Sequence, residues 1–265
     1  MNKYNNNDIN KAIIERVKAI ILVTLIFLVF FSGYKIYEHY NIRHVALEPY
    51  EEIQATCTKN DEEEGFSVDM VALSKLNEDI IGYIYIPGTN VSYPLLRGET
   101  NDEYVRHDYN HKYNIAGSVF MDSKNSPDLR DMNTVIYGHN MSNGSMFATL
   151  QGYAREEEYY VNRDRVYIFT LDGVYEYKMF SAFHTDMTSD VYLTQFATQF
   201  DYISWVNKQN NAGGFDDEKQ FYNTKNTITL STCYGNTGTR KRTVIIAELI
   251  AKHYPDYQVT PNKIK

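Results

Sequence analysis

Short apolar runs separated by turn signals fill most of the chain after residue 69, and they constrain the fold more than any other feature. Eight such runs occur, at residues 80–86, 91–96, 117–121, 134–137, 166–171, 174–180, 227–230 and 243–247. Asp172-Gly173 separates two of them and is a strong two-residue hairpin signal. Short strands with tight connections are typical of a barrel or a sandwich. We therefore predict an all-β domain over residues 69–252.

Three segments have helical rather than strand periodicity. Residues 69–76 place apolar side chains at three-residue spacing, which predicts a short amphipathic helix capped by Ser67 or Asp69. Residues 146–150 predict a second short helix. Apolar side chains repeat at helical spacing over residues 193–210, which predicts a longer helix inserted before the last two strands.

The N-terminal segment predicts a membrane anchor. Residues 19–34 carry no charge, and basic residues lie mainly before them. This run is shorter than the roughly 20 residues that span a hydrocarbon core. Flanking apolar residues and snorkelling of Lys18 and Lys35 extend the predicted transmembrane helix to 19–37. A cleaved signal peptide is disfavoured because the apolar core is long and no Ala-x-Ala-like site follows. The charge bias predicts a cytoplasmic tail, 1–18, and an extracellular remainder.

The segments on either side of the predicted domain are polar. Residues 38–68 are predicted to be an extracellular stalk, and residues 253–265 a C-terminal tail. The stalk contains Cys57 and an acidic run, 61–64, which we interpret as solvated. The net charge of -8 argues against nucleic acid as a partner. Scattered carboxylates and two cysteines predict no metal site, and we expect no cofactor.

Three residues form a candidate catalytic set. Cys233 ends an apolar strand run, so its thiol is expected at a strand rim that a substrate can reach. A disulfide with the other cysteine would consume this thiol and is disfavoured. His139 directly follows another strand and can donate a proton to a leaving amine, as thiol catalysis requires. Arg242 follows Cys233 by nine residues and begins the last strand. Its guanidinium suits a developing oxyanion, with Arg240 as the alternative.

These segments resemble the sortase family. Residues 229–233 read Thr-Leu-Ser-Thr-Cys and match the family's Thr-Leu-x-Thr-Cys signature, and residues 135–140 match the segment that carries its His. An Arg eight to ten residues after the Cys completes the set in the same order. The resemblance covers residues 69–250. The Ser before Thr-Cys, the helix predicted before the first strand and the helix predicted at 193–210 are most like class B. Class B members often have an acidic residue just after the Cys, whereas residues 234–238 here have none.

The resemblance implies an eight-stranded β-barrel with an N-terminal helix and an inserted helix. It also implies a membrane-anchored cysteine transpeptidase of a Gram-positive cell. Such an enzyme cleaves a sorting motif of secreted proteins after Thr and transfers the acyl group to an amine of a lipid II-type peptidoglycan precursor. Cys233 would be the nucleophile, His139 the proton donor and acceptor, and Arg242 the oxyanion donor.

The substrate groove is expected on the barrel wall beside the catalytic set. Gly138, next to His139, is expected to leave room there for a substrate backbone. By resemblance, the candidate substrate-binding residues are Ser231, Thr232, Asn90, Leu95 and Tyr192.

Three other function classes fit these residues less well. An L,D-transpeptidase also pairs a His with a later Cys, but its signature has Gly before the Cys and Arg two residues after it. This chain has Thr232 and Gly235 at those positions. A papain-like wall hydrolase would place the Cys before the His. A non-catalytic β-rich surface-binding module would leave Cys233, His139 and Arg242 as unrelated residues, far apart in the fold.

Overall fold

The N-terminal part of the structure is one long helix. The structure is a computed structural model and describes residues 6–61, 64–156, 158–216, 219–235 and 239–260. It divides into two units, Met1–Val45 and Ala46–Lys265. The first unit contains helix α1, Asn6–Val45. Over the described part of the chain, no helix has both the length and the hydropathy expected of a membrane span.

Four short elements open the second unit. They are α2 (Glu48–Cys57), β1 (Thr58–Asp61), β2 (Gly65–Val68) and α3 (Met70–Leu73). Tyr50, Ile53 and Cys57 lie on one face of α2 and are buried in the same core as the barrel. The predicted stalk, 38–68, is therefore divided, because residues from Ala46 onward belong to the second unit. Most residues of this segment are polar, so the sequence analysis missed the one apolar face that α2 buries.

A closed barrel of eight strands forms most of the second unit and confirms the predicted architecture. Its strands are β3 (Ile80–Tyr85), β4 (Ser92–Leu96), β5 (Val119–Met121), β6 (Asn133–Tyr137), β7 (Arg165–Thr170), β8 (Gly173–Asp186), β9 (Thr227–Cys233) and β10 (Lys241–His253). The strand order around the barrel is β10-β8-β7-β3-β4-β5-β6-β9. The β4–β5 and β6–β9 pairs are parallel and the others are antiparallel, so the barrel is mixed.

Both short predicted helices are present with different bounds. Helix α3 is capped by Asp69, whose Oδ1 accepts a hydrogen bond from the Ala72 N–H at 2.9 Å. The segment predicted at 146–150 is a 3₁₀ helix, Ala148–Ala154, which begins two residues later. This 3₁₀ helix packs against β8 and β10.

The inserted helix begins six residues later than predicted, because α4 spans Gln199–Gly213. Thr198 caps it by accepting a hydrogen bond from the Asp201 N–H at 3.1 Å, which satisfies a donor that the first turn leaves free. The preceding residues form a separate 3₁₀ turn, Asp190–Tyr192. Trp205 of α4 donates its indole N–H to the first carbonyl of this turn at 2.9 Å. This hydrogen bond holds the turn against α4.

Candidate active site

Strand pairing brings the three candidate catalytic residues to one edge of the barrel. Strand β9 lies between β6, which is parallel to it with Tyr137 opposite Ser231, and β10, which is antiparallel with Arg242 opposite Cys233. His139 follows the end of β6 by two residues. A cavity of about 160 Å³ lies at this edge. Its lining residues are Val105, Phe120, Tyr137, Gly138, His139, Ser231, Thr232, Cys233 and Arg242.

The His139 ring is oriented by a backbone carbonyl. Its Nε2 lies 2.6 Å from the Val105 oxygen. A carbonyl can only accept, so Nε2 carries a proton and Nδ1 is the nitrogen that can gain or lose one. The Val105 oxygen is close to Gly117, which has a φ of +54°. A Cβ at Gly117 would lie 2.3 Å from this oxygen. Tyr50 of α2 donates to the Gly117 carbonyl at 2.5 Å, so α2 supports this segment.

Gly138 is required for packing next to His139. A Cβ at Gly138 would lie 2.7 Å from the ring of Phe147. The Phe147 N–H also donates to the His139 carbonyl at 2.9 Å, which closes the turn after β6. The space that we expected a substrate backbone to use is therefore taken up by Phe147, although Gly138 still lines the cavity.

The Cys233 thiol is free and half-buried at the end of β9. The backbone carbonyl of Cys233 accepts two side-chain hydrogen bonds, from Asn140 Nδ2 at 3.0 Å and Gln151 Nε2 at 3.1 Å. Cys57 is also free but is buried at the end of α2. Sequence reasoning missed Gln151, because an isolated Gln in a short helix carries no recognisable motif.

The structure separates the two arginines that the sequence left as alternatives. Arg242 lines the cavity, and its Nη1 donates to the carbonyls of Thr239 at 2.5 Å and Lys241 at 3.0 Å. Arg240 is exposed and forms an ion pair with Asp186 at 3.2 Å. Hydrogen bonds from Thr188, together with Arg240, lower the pKa of Asp186 to about 2. The geometry thus brings Arg242 to the cavity and directs Arg240 elsewhere.

The five candidate substrate-binding residues do not share one location. Ser231 and Thr232 line the cavity, and the Tyr192 hydroxyl lies 2.9 Å from Ser231 Oγ. Burial raises the pKa of Tyr192, so its phenol stays protonated at neutral pH. Asn90 lines a separate cavity of about 370 Å³. Leu95 is fully buried in the apolar core and does not line the catalytic cavity.

One group of potential metal ligands is present among the described residues. Asp79, Glu103 and His111 place ligand atoms within 4.8 Å of one another, although the sequence shows their carboxylates as scattered. The Asp79 carboxylate accepts from the Tyr104 hydroxyl at 2.6 Å, and Glu103 accepts from the Glu99 N–H at 3.0 Å. Each carboxylate thus accepts a hydrogen bond from the protein, and the group does not line the catalytic cavity. We assign no metal to it.

Comparison with known proteins agrees with this geometry. The sortase domain model matches residues 84–250. Sortase B of Listeria monocytogenes is 34% identical over 246 residues, which are 89% of this chain and 97% of the relative. The chain belongs to the sortase family. Sortase B of Staphylococcus aureus is 28% identical to it over 239 residues, 89% of this chain and 98% of the relative.

Solved structures extend the similarity of this sortase to the fold. A Staphylococcus aureus sortase B–substrate complex matches with a TM-score of 0.62 and 26% identity, over 82% of this chain and 97% of that chain. The protein is therefore a sortase B-like cysteine transpeptidase, an enzyme that anchors surface proteins. The surface-module alternative required its three residues to be far apart, whereas they line one cavity.

Proposed function

We propose that this sortase cleaves a sorting motif of secreted proteins after Thr and transfers the acyl group to an amine of a peptidoglycan precursor. Cys233 acts as nucleophile, His139 as proton donor and acceptor, and Arg242 as oxyanion donor. One observation carries the proposal. These three side chains line a single cavity at the edge where β6 and β9 end and β10 begins.

Acylation begins at the Cys233 sulfur. With the thiol proton held on His139 Nδ1, the Cys233 thiolate attacks the carbonyl carbon of the Thr. A C–S bond forms, and the carbonyl electron pair moves to oxygen. The Arg242 guanidinium stabilises this oxyanion, and its contacts with the Thr239 and Lys241 carbonyls hold its orientation. When the tetrahedral intermediate collapses, the C–N bond breaks and His139 Nδ1 gives a proton to the leaving amine. A thioacyl-enzyme remains.

Transfer reverses these roles. The acceptor amine attacks the thioacyl carbon, and His139 Nδ1 accepts the proton that the amine loses. The C–S bond breaks and the Cys233 thiolate leaves. The Val105 carbonyl keeps the Nε2 proton in place throughout, so one nitrogen of His139 serves both half-reactions. Water can replace the amine, and the product is then the hydrolysed motif.

The cavity wall favours an uncharged peptide with hydrogen-bonding groups. Ser231 lines the cavity with its hydroxyl beside that of Tyr192, and Phe120 and Tyr137 provide an aromatic surface. Among the described residues that line this cavity, Arg242 is the one with a permanent charge. Together with the class B resemblance, this favours a pentapeptide of the Asn-Pro-x-Thr type, from clients that are anchored to the wall or attached to pili.

A pentapeptide library tests this substrate assignment. Residues 38–265 are incubated with the library, and the products are identified by mass spectrometry. We expect cleavage after Thr within Asn-Pro-x-Thr-type sequences. Cleavage at other residues, with no preference for Thr, would contradict the assignment. Adding an amine such as oligoglycine should convert hydrolysed products into aminolysed ones.

We also propose that residues 19–37 anchor the enzyme in the cell membrane with the catalytic unit outside. The support is the charge-free run 19–34, the basic residues before it, and the apolar side chains of α1 at 20–31, which are 48–74% exposed on all sides of the helix. After carbonate extraction, the full chain should remain in the membrane pellet, whereas residues 38–265 should be released. External protease should degrade the catalytic unit in protoplasts.

A further inference from the structure

A network of side chains replaces the backbone ladder behind Cys233. The Gly138 N–H donates to the Ser231 carbonyl at 3.1 Å, as the parallel pairing of β6 and β9 requires. The Cys233 carbonyl is the next acceptor on the same edge of β9, but the β6 chain turns away at His139. The side-chain amides of Asn140 and Gln151 donate to this carbonyl in place of the missing backbone N–H.

The direction of each hydrogen bond in this network is determined. The Cys233 carbonyl can only accept, so Gln151 must present Nε2 to it and Oε1 to the opposite side. The Thr243 hydroxyl lies 2.9 Å from this Oε1 and donates to it. The Thr243 oxygen then accepts from His184 Nδ1, at 3.0 Å. Desolvation, with the nearby Arg155 and Lys241, lowers the pKa of His184, and the chain of donors runs from neutral His184 to the Cys233 carbonyl.

Each of the three catalytic residues either belongs to this network or is next in sequence to a residue that does. Asn140 directly follows His139, and Thr243 directly follows Arg242. Cys233 takes part through its own carbonyl. Gln151 and Thr243 are buried, with 8% and 0% exposure, so water competes little for these hydrogen bonds.

We propose that Asn140 and Gln151 are positioning residues that keep the Cys233 peptide unit in place relative to His139 and Arg242. The inference rests on the proposed function, since it assigns no contact with substrate to either amide. A catalytic group that is displaced by about 1 Å can lose on the order of 10² in rate. Loss of the Gln151 donor should therefore lower kcat by about 10- to 100-fold, and the KM for the sorting peptide should change less than about threefold.

Gln151→Glu gives a pH-dependent test of this role. When protonated, the Glu side chain can accept from Thr243 and donate to the Cys233 carbonyl, as Gln does. When ionised, it places an acceptor against that carbonyl. Burial raises the pKa of a carboxyl group, so this change should occur above the usual Glu range. The kcat of the variant relative to wild type should be near one at low pH and fall as the pH rises through that pKa.

Gln151→Met is the matched control, because it fills a similar volume and donates nothing at any pH. Its kcat relative to wild type should be low and independent of pH, and circular dichroism should show that the variant is folded. A second readout is alkylation of Cys233 by iodoacetamide, followed by mass spectrometry. At a fixed pH, the alkylation rate of Gln151→Met should differ from that of wild type, because the sulfur is displaced.

The outcomes separate this inference from the proposed function. A wild-type kcat and a wild-type alkylation rate in Gln151→Met, or a pH-independent ratio for Gln151→Glu, would overturn the positioning role. Either result leaves the cleavage by wild type, and with it the proposed function, intact. If the wild-type enzyme cleaves no peptide but Gln151→Met changes the alkylation rate of Cys233, the proposed function is contradicted and the network is supported.

Discussion

The two cysteines of this chain occupy opposite environments. Cys57 ends α2 and is packed with Tyr50 and Ile53 in the apolar core. Cys233 ends a strand, is half-buried, and shares a cavity with His139 and Arg242. Both thiols are free. The comparison shows that a thiol acquires catalytic potential from proton donors and charge within reach, and from a path for substrate.

The two regions also differ in what holds them. The core around α2 is stabilised mainly by apolar burial, which tolerates volume-conserving change. The cavity edge is held by directional hydrogen bonds on backbone carbonyls, those of Val105, Cys233, Thr239 and Lys241. We therefore expect substitutions at the edge to change rate and substitutions in the core to change stability.

The largest effect is expected at Cys233. Cys233→Ala should abolish peptide cleavage, because no other side chain in the cavity can form the thioacyl bond. Turnover of the sorting peptide, followed by chromatography, measures the loss. The melting temperature should stay within a few degrees of wild type, since this side chain is half-buried at a strand end. Cleavage at the wild-type rate would show that Cys233 is not the nucleophile.

Arg242→Lys should be the next most severe change, although it keeps the charge. An ammonium cannot reproduce the planar set of donors, and loss of one oxyanion donor costs on the order of 10²–10³ in rate. The measurement is kcat with the sorting peptide. Arg240→Lys is the matched control and should be mild, because Arg240 is paired with Asp186. The opposite pattern would show that Arg240 is the oxyanion donor.

Gly117→Ala should lower the rate indirectly. Its Cβ would meet the Val105 oxygen that orients His139, so we expect kcat to fall by about tenfold together with a strain of about 1–2 kcal/mol. Gly88→Ala is the control. Gly88 also has a positive φ, +73°, but a Cβ there meets only the Arg163 side chain. It should lose stability without losing rate, and equal kcat losses in both variants would argue against the Val105 contact.

The smallest effect on rate is expected at Cys57. Cys57→Ala removes one buried sulfur and should destabilise the fold by about 1 kcal/mol, because it leaves a small void beside α2. Turnover should stay near the wild-type value. Thermal unfolding and peptide cleavage, measured on the same sample, check both expectations. A strong loss of activity without loss of stability would point to a catalytic role for this thiol.

Sequence reasoning was most effective where a local pattern carries the information. Short apolar runs and the Asp172-Gly173 turn predicted the eight strands, and strand ends predicted where Cys233 and His139 would emerge. Helix boundaries were less accurate, because a side-chain cap at Thr198, and not the apolar period, sets the start of α4.

Local patterns did not predict the residues that hold the catalytic side chains in place. Val105 acts through its carbonyl, which every residue type possesses, and it lies in a loop without periodicity. Gln151 reaches Cys233 across 82 residues of sequence, a contact that only the closed barrel creates. The burial of Cys57 depends on the single apolar face of a short polar helix. The first two features are tertiary, so the local sequence carries no signal for them. The i, i+3, i+7 spacing of Tyr50, Ile53 and Cys57, in contrast, was a local signal that could have predicted α2.

Mapping the acyl-enzyme tests the central claim most directly. Wild-type protein is incubated with a sorting peptide, quenched in acid, and examined by intact-mass and peptide-level mass spectrometry. The account predicts one acyl group, attached to the peptide that contains Cys233, which disappears when an acceptor amine is added before the quench. An acyl group on Cys57, or turnover without any covalent adduct under conditions that trap the intermediate, would contradict it.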